Sequence, residues 1–286
     1  MRDPALLILW TTEPLKKEKI MQTIRLNSTG PDVELLQQLL CKWGYTVNGT
    51  GVFDAETDAA VRKFQRDGRL DADGIVGKRT WDLLQNEDAR ALSSYRINDA
   101  DYERAAGLLG VEVAAVKAVL EVETGNKGGF LAPGHPTILF EGHIFWSQLK
   151  ERGIDPEKYQ KGNEDILYPK WDKSHYKGGM KEYDRLEKAR AIHHEAADSS
   201  ASWGLAQIMG FNYKACGCKN VSEFVNDMTE NEGKQLDLFV RFLQGNKWDK
   251  YLRTLDWKEF ARHYNGPSYA QNQYDTKLEN AYKKYK

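Results

Sequence analysis

Apolar side chains recur at helical spacing in the first third of the chain and predict three short helices there. Gly44 and the Asn-Gly-Thr-Gly run at 48–51 interrupt this pattern and predict turns. The three apolar stripes are, in chain order, Val33, Leu36, Leu39 and Leu40; Ala60, Val61 and Phe64; and Trp81, Leu83 and Leu84. About sixty residues with three such helices can close one small core, so residues 24–86 are predicted to form a three-helix bundle.

A sequence repeat joins the helices of this bundle. Residues 51–57 and 74–80 each begin with glycine, continue with two apolar residues and end in a threonine near a helix start. We expect both apolar residues of each copy, Val52 with Phe53 and Ile75 with Val76, to fill the core before a polar cap begins the next helix.

These residues resemble the peptidoglycan-binding domain 1 family, whose glycine turns, apolar positions and Val-x-x-Leu-Gln and Val-x-x-Phe-Gln segments agree together. The matching positions are Leu26, Gly30, Val33, Leu36, Gln37, Gly51, Phe53, Thr57, Val61, Phe64, Gln65, Gly74, Gly77, Thr80 and Trp81. The resemblance implies binding to the bacterial cell wall, although most of these positions are structural and do not indicate which side chains contact it. The alternative is a generic three-helix bundle without a ligand.

A polar segment at 87–96 is predicted to link the bundle to a larger domain at 97–286. Asn98 is a suitable N-cap for the first helix of this domain, which ends at Gly110. A second helix is predicted from Val111 to about Thr124, where Gly125 ends it.

Glu123 lies on the apolar side of this second helix. It shares a stripe with Val116 and Leu120, whereas Glu121 lies opposite, with Lys117 as its i,i+4 partner. An apolar environment and the C-terminal end of the helix dipole both raise the pKa of a carboxyl group. A carboxylic acid that stays protonated near neutral pH is what cleavage of a glycosidic bond needs, because the leaving oxygen must be protonated. The alternative is a helix-end glutamate with a structural hydrogen bond.

Two motifs follow Glu123 along the chain. They are Gly-Leu-Ala-Gln-Ile at 204–208 and Tyr-Asn-Gly at 264–266, and this ordered set is similar to the lysozyme-like superfamily. From about Ile97 the chain resembles more closely the N-acetylmuramidase family of phage and bacterial modular endolysins. The further matches lie at 138–145, 176–179, 183–186, 211–213, 256–257 and 272–278. The chain departs from this pattern at Lys127, an insertion after Glu123, and at Gly142, where we expect a bulkier basic residue.

The resemblance implies a predominantly helical, lysozyme-like catalytic domain and assigns roles to individual residues. Glu123 is the expected general acid, and Gln207 and Asn265 are expected to bind N-acetyl or hydroxyl groups of the substrate. Tyr264 is expected to line the cleft and position Glu123 or a sugar. Gly204 is expected to allow the backbone to approach the substrate closely.

Glu141, with His143 beside it, is the best candidate for a second carboxylate or a residue that shapes the cleft. A structural network that holds two helices together is the alternative for this pair. Asp198 and Asp275 are further candidate carboxylates.

The function implied is hydrolysis of the β-1,4 bond from N-acetylmuramic acid to N-acetylglucosamine, with no cofactor. One alternative is a lytic transglycosylase, in which the 6-hydroxyl of the sugar attacks and one glutamate suffices; a hydrolase needs an activated water. Another is a wall-binding protein without activity. The polar segment 156–174, which carries Tyr159, Tyr168 and Trp171, is expected to lie on the rim of the cleft or to form a plain surface loop.

Charge and cysteine content exclude several other functions. The 41 Lys and Arg against 42 Asp and Glu give a net charge of -1, which argues against binding to nucleic acid or charge-driven attachment to membranes. Three cysteines cannot form a disulfide framework, so we expect reduced thiols.

Cys216 and Cys218, like His193 and His194, lack the ligand spacing of a zinc site, so no metal is expected. The 8 Trp and 14 Tyr suit sugar rings but also suit a core.

The N-terminus is read as an extension at 1–23, with Met21 as an alternative start. Its apolar run at 5–10 is shorter than the ~20 residues of a membrane-spanning helix and lacks the flanks of a signal peptide. Arrest of this run in a membrane is the alternative. The family resemblance then implies a protein that accumulates in a host cytoplasm and acts on the wall after release. We expect a monomer whose partner is peptidoglycan.

Overall fold

A computed structural model describes residues 21–68, 70–125 and 127–286. The predicted N-terminal extension lies, up to residue 20, outside this described part. The chain separates into two compact units between Arg90 and Ala91. Helices account for 57% of the described residues and strands for 6%, which confirms the prediction of a mainly helical protein.

The first unit contains three helices around one apolar core, as the spacing of its apolar residues predicts. They are α1 (Pro31–Lys42), α2 (Ala55–Asp67) and α3 (Lys78–Leu84). The core is formed by Ile24, Val33, Leu36, Leu40, Val47, Phe53, Val61, Phe64, Val76, Trp81 and Leu84. Asp54 caps α2 by accepting a hydrogen bond from the backbone N–H of Thr57 at 2.8 Å, which accounts for the polar residue before the helix.

The sequence repeat is a repeat of hydrogen bonds around two buried glutamines. Gln37 Oε1 accepts from the N–H of Gly51 at 2.9 Å, and Gln65 Oε1 accepts from the N–H of Gly74 at 2.9 Å. Each glutamine also donates through Nε2 to the threonine of the same copy, at 3.1 and 3.3 Å. Because both glutamines are at most 1% exposed, these bonds tie each glycine turn to the preceding helix.

We expected both apolar residues of each copy to fill the core, and this is wrong for the first apolar residue of each copy. Phe53 and Val76 are fully buried, whereas Val52 is 44% exposed and Ile75 is 38% exposed. Each copy of the repeat pairs with the extended segment at 24–29 through one isolated β-bridge. Consecutive residues of extended chain point to opposite sides, so only one of the two reaches the core.

The remaining helices begin with α4 (Glu87–Ser93), which occupies much of the predicted linker. The helices that follow in the second unit are α5 (Asp99–Leu109), α6 (Val113–Thr124), α7 (Gly142–Glu151), α8 (Glu157–Gln160), α9 (Lys181–Ser199), α10 (Val221–Glu230), α11 (Glu232–Gly245), α12 (Asp249–Arg253), α13 (Trp257–Tyr264) and α14 (Tyr274–Tyr285). Short 3-10 helices lie at Lys173–His175 and Gly210–Asn212. In the described part of the chain, no helix is both long and apolar enough to cross a membrane.

Two small antiparallel sheets complete the second unit. A hairpin is formed by β1 (Phe130–Ala132) and β2 (His135–Pro136). The second sheet has the order β3-β4-β5, with strands Ile138–Phe140, Ala201–Trp203 and Ile208–Met209. Ile138 pairs with Trp203 and Phe140 with Ala201, so the turn between β4 and β5 lies at the beginning of β3.

Local sequence explains where α5 and α6 begin and end. Asn98 caps α5 and forms a capping box with Asp101, as expected for this cap. Gly110 and Gly125 end the two helices in the left-handed conformation, with φ of 68° and 56°, which glycine adopts without strain. The start of α6 is two residues later than predicted, after Glu112 as N-cap.

Candidate active site

Glu123 lies in the last turn of α6, where its neighbours on the same stripe are buried. Val116, Val119 and Leu120 are at most 5% exposed, and Glu123 itself is half-buried. Burial raises the pKa of Glu123 to about 7, against a hydrogen bond from Asn265 that lowers it. Since a carboxyl group with this pKa is about half protonated at neutral pH, it can both donate and accept a proton there.

Glu121 is not paired with Lys117 as the i,i+4 spacing predicts. Lys117 lies 3.5 Å from Asp99, and Glu121 accepts hydrogen bonds from Lys284 at 2.7 Å and from Tyr285. Burial raises the pKa of Glu121, but these two hydrogen bonds outweigh it and leave the pKa below its usual value. Two carboxyl groups on one helical turn thus have pKa values shifted in opposite directions.

Asn265 and Tyr264, at the end of α13, connect Glu123 to the turn between β4 and β5. Asn265 Nδ2 donates to both carboxyl oxygens of Glu123, at 3.2 and 3.0 Å. Tyr264 donates its hydroxyl to the carbonyl of Ala206 at 3.3 Å, and burial together with the charge of Glu123 raises its pKa. Asn265 Oδ1 is buried without a hydrogen-bond partner among the described residues.

Gln207 lies in the turn itself, with a left-handed backbone (φ 48°) and an exposed side chain. Its amide nitrogen donates to the carbonyls of Gly204 and Thr137 at 2.8 and 3.1 Å, and its amide oxygen accepts from Ser202 at 2.9 Å. Both amide hydrogens are therefore used within the protein, and the second lone pair of the oxygen remains for a ligand.

Glu141 and His143 lie together at the far end of β3. The backbone of Glu141 pairs with Ser200 at 2.9 Å, and its Oε2 accepts a hydrogen bond from Tyr176 at 2.7 Å. His143 Nδ1 is 3.4 Å from the same oxygen, and it is buried without a hydrogen-bond partner in the described ranges. Glu141 lies four positions after Thr137, about 13 Å along an extended chain, so this pair and Gln207 mark opposite ends of β3.

The other two candidate carboxylates have different surroundings. Asp198 is 1% exposed and is paired with Arg190 at 2.7 Å, so it has no access to a substrate. Asp275 accepts from the N–H of Thr276 in the first turn of α14 and lines a cavity of about 480 Å³ beside Trp257. The polar partners found for these two carboxylates do not include Glu123.

Glu232 and Gln235, on α11, are site residues that the sequence analysis did not identify. Glu232 accepts from the N–H of Gly129 at 2.7 Å, and Gln235 accepts from the N–H of Leu205 at 2.8 Å. They join the loop after Glu123 to the β4–β5 turn. Their i,i+3 spacing at the start of an amphipathic helix is common and gave no signal of this role.

Gly204 is required for a different reason from the one expected. Its backbone is left-handed, with φ of 69°, and an added Cβ would lie 2.7 Å from Gln235 and 2.9 Å from Met228. A side chain at this position would point into the protein interior rather than towards a substrate, because α11 packs directly against this turn.

The departure at Gly142 also has a structural reason. A Cβ at this position would lie 2.4 Å from the ring of Tyr168 and 2.7 Å from the carbonyl of Ile166. Tyr168 therefore occupies the space that the expected basic side chain would need, and its hydroxyl accepts from the N–H of Gly142 at 3.3 Å.

The three cysteines are free, and Cys216 and Cys218 are buried. In the ranges that the structure describes, no group of three or more His, Cys, Asp or Glu side chains is arranged to hold a metal ion.

Comparison with known proteins assigns both units. The sequence model of the N-acetylmuramidase family matches residues 112–286, and that of the putative peptidoglycan binding domain matches residues 29–84. The crystal structure of an endolysin from Burkholderia AP3 phage is similar to this chain, with 39% identity and a TM-score of 0.66. The match covers 92% of this chain and 99% of that one. Both resemblances predicted from the motifs are thereby confirmed: the chain belongs to the N-acetylmuramidase family and is a peptidoglycan hydrolase with a peptidoglycan-binding domain before its catalytic domain.

Proposed function

We propose that this glycoside hydrolase cleaves the β-1,4 bond between N-acetylmuramic acid and N-acetylglucosamine, with Glu123 as the general acid. The observation that carries the proposal is the environment of Glu123, a helix-end carboxyl group whose pKa burial raises to about 7. The protonated form gives its proton to the glycosidic oxygen as the bond breaks, which avoids an alkoxide leaving group.

Asn265 has two tasks in this proposal. Its Nδ2 orients the carboxyl group of Glu123 and stabilises the carboxylate that remains after proton transfer. Its buried Oδ1, which has no partner among the described residues, accepts a hydrogen bond from a hydroxyl or acetamido N–H of the sugar. Tyr264 holds the turn that carries Gln207, and the free lone pair of Gln207 accepts a second hydrogen bond from substrate.

Glu141 is the proposed second carboxylate, which activates the attacking water. Its Oε2 is held by Tyr176, while Asp198 is neutralised by Arg190 in the interior. His143, 3.4 Å from Glu141, completes this polar cluster. A lytic transglycosylase needs no such group, because the substrate supplies its own nucleophile.

Replacement of the acid tests the central claim. Glu123→Gln removes the proton while keeping size and polarity, and it should lower the rate of wall lysis at least 100-fold. Glu121→Gln is the matched control, since this carboxyl group lies on the same turn but binds Lys284. Both variants should sediment with purified walls as the unmodified protein does. Lysis by Glu123→Gln at the normal rate would remove Glu123 from this role.

The products distinguish hydrolysis from transglycosylation. Mass spectrometry of digested peptidoglycan should detect muropeptides with a reducing N-acetylmuramic acid end. Anhydro-muropeptides as the main product would establish the transglycosylase instead. Glu141→Gln should slow hydrolysis about 100-fold or more with unchanged wall binding, whereas a transglycosylase would need no carboxylate there to activate water.

The peptidoglycan-binding domain supplies the tether in this proposal. Attachment through residues 24–86 keeps the catalytic domain at high local concentration on an insoluble polymer. As in the family resemblance, the protein accumulates in a host cytoplasm and meets the wall after release.

A further inference from the structure

Trp171 combines high exposure with a fixed orientation. Its side chain belongs to the segment 156–174 and is 61% exposed, although a large aromatic ring is usually buried. The indole N–H is nevertheless engaged, since Nε1 donates to the hydroxyl of Tyr176 at 2.9 Å. An exposed ring whose polar edge is anchored presents its flat face to solvent at little further entropic cost on binding.

The anchor of Trp171 is part of the candidate active site. Tyr176 accepts from the indole and donates its own hydrogen to Glu141 at 2.7 Å, so the three side chains form one directed chain. The guanidinium group of Arg185 lies over the ring of Tyr176, 5.9 Å from its centroid. The position of the indole is thereby coupled to the carboxylate proposed to activate water.

A buried ion pair holds the backbone on both sides of Trp171. Arg185 donates to the carbonyl of Asp165 at 3.0 Å, before the tryptophan, and Glu182 accepts from the N–H of Gly178 at 2.9 Å, after it. Glu182 and Arg185 are 2.7 Å apart and almost completely buried. Trp171 therefore lies on a segment fixed to α9 rather than on an unattached loop.

The surroundings of the indole indicate the class of ligand. The flanking residues Lys170, Asp172 and Lys173 are exposed and charged, so polar groups border the ring on both sides along the chain. A protein partner or a lipid surface requires a larger continuous apolar area. A pyranose has one face of C–H groups and an edge of hydroxyl and acetamido groups, which matches a flat ring with a polar border.

We propose that Trp171 is a stacking subsite for a sugar ring of the peptidoglycan glycan strand, in the part of the cleft next to Glu141. This proposal rests on the proposed function for the position of the cleft. It makes the indole of Trp171 part of the substrate-binding surface, with Tyr176 as the residue that orients it.

The test measures binding rather than activity. A soluble N-acetylglucosamine hexamer is titrated into the full chain carrying Glu123→Gln, and the dissociation constant is measured by calorimetry. Trp171→Ala in this background should weaken binding about 5-fold to 10-fold, whereas Trp171→Phe, which keeps an aromatic face, should stay within about 2-fold. Tyr159→Ala is the matched control, because Tyr159 lies on the same segment and is 43% exposed.

The outcomes separate this proposal from the assignment of the acid. Equal affinity of the Trp171→Ala and Tyr159→Ala proteins overturns the subsite, and so does equal weakening by Trp171→Ala and Trp171→Phe. Lysis by the Glu123→Gln protein would contradict the acid assignment alone, because the dependence of binding on Trp171 is read independently of turnover.

Discussion

The side-chain nitrogen of Asn265 lies 3.2 Å from one carboxyl oxygen of Glu123 and 3.0 Å from the other, and it donates to both. Burial raises the pKa of Glu123 and this contact lowers it, and burial prevails, which leaves the pKa at about 7. The acid is therefore balanced between two opposing effects, an apolar helix stripe that favours its neutral form and one amide that favours its charged form. Each effect can be removed separately.

Removal of the amide should shift the pH profile of lysis. In Asn265→Ala the carboxylate loses its hydrogen bond, so the pKa of Glu123 rises and the acid stays protonated to higher pH. The alkaline limb of the lysis rate should move upward by about one pH unit, because a hydrogen bond to a charged group contributes about 1.5 kcal/mol. Initial rates of turbidity loss with purified walls from pH 5 to 9 measure this shift.

Asn280→Ala, at an exposed position on α14, is the control for this shift and should leave the limb in place. A lower maximal rate for Asn265→Ala is expected as well, since Asn265 is proposed to contact substrate. A downward or absent shift of the limb would show that Asn265 does not act on the ionisation of Glu123.

The two carboxyl groups of α6 should affect stability with opposite dependence on pH. The folded-state pKa of Glu123 is raised, so its contribution to stability is present below pH 4.5 and is lost as pH rises through 7. Glu123→Gln should therefore stabilise the protein at pH 8 by about 3 kcal/mol and at pH 5 by less than about 1 kcal/mol. Thermal unfolding at the two pH values tests this, at roughly 2–4 °C per kcal/mol.

Glu121→Gln supplies the contrast. The folded-state pKa of Glu121 is lowered, so its contribution is present above pH 4.5 and is lost as pH falls. This variant should be less stable than the unmodified protein at pH 8, by up to about 1 kcal/mol for a largely surface interaction, and the difference should fade towards pH 4. Changes of the same sign in both variants would contradict the opposite pKa shifts.

The sequence predicted those features of the fold that depend on short-range interactions. The capping box of Asn98, the glycine end of α6 and the apolar stripe that buries Glu123 all depend on residues within one or two helical turns. The partner of Glu121 could not be predicted in this way, because Lys284 lies 163 positions along the chain. A local i,i+4 pair is worth a few tenths of a kcal/mol, so a tertiary contact readily replaces it.

The sequence likewise predicted only part of the candidate site. Its motifs identified Glu123, Gln207 and Asn265, but not that both amide hydrogens of Gln207 are used inside the protein. Glu232 and Gln235 gave no signal, because their role depends on the packing of α11 against two distant loops. Sequence motifs thus indicated part of the candidate site, and packing determined its remaining residues and which atoms remain free for a ligand.

Gly142 should be intolerant of the basic residue that the family pattern predicts. Gly142→Arg places a Cβ in the space of the Tyr168 ring, and such overpacking costs about 1–3 kcal/mol. Gly107→Ala is the control: it lies on an exposed part of α5 with no atom near its added Cβ and should stabilise by up to about 1 kcal/mol. Thermal unfolding measures both effects.

The clash between a side chain at position 142 and the ring of Tyr168 predicts that substitutions at these two positions are energetically coupled. Because the arginine would compete with the ring of Tyr168, the costs of Gly142→Arg and Tyr168→Ala should be non-additive, and the double variant should be more stable than their sum implies. Additive costs would mean that the arginine is accommodated without displacing Tyr168.

The two buried glutamines of the peptidoglycan-binding domain should have similar energetic importance. Gln37→Ala and Gln65→Ala each leave the N–H of a glycine turn without its acceptor, at a cost of about 1–3 kcal/mol per unpaired group. Gln38→Ala is the control, since Gln38 is exposed on the same helix and its loss should change stability by no more than about 0.5 kcal/mol. Chemical unfolding of the full chain and sedimentation with walls measure the two consequences, and both glutamine variants should lose wall binding at a lower temperature than the control. If only one of them weakens the domain, the two copies of the repeat are not energetically equivalent.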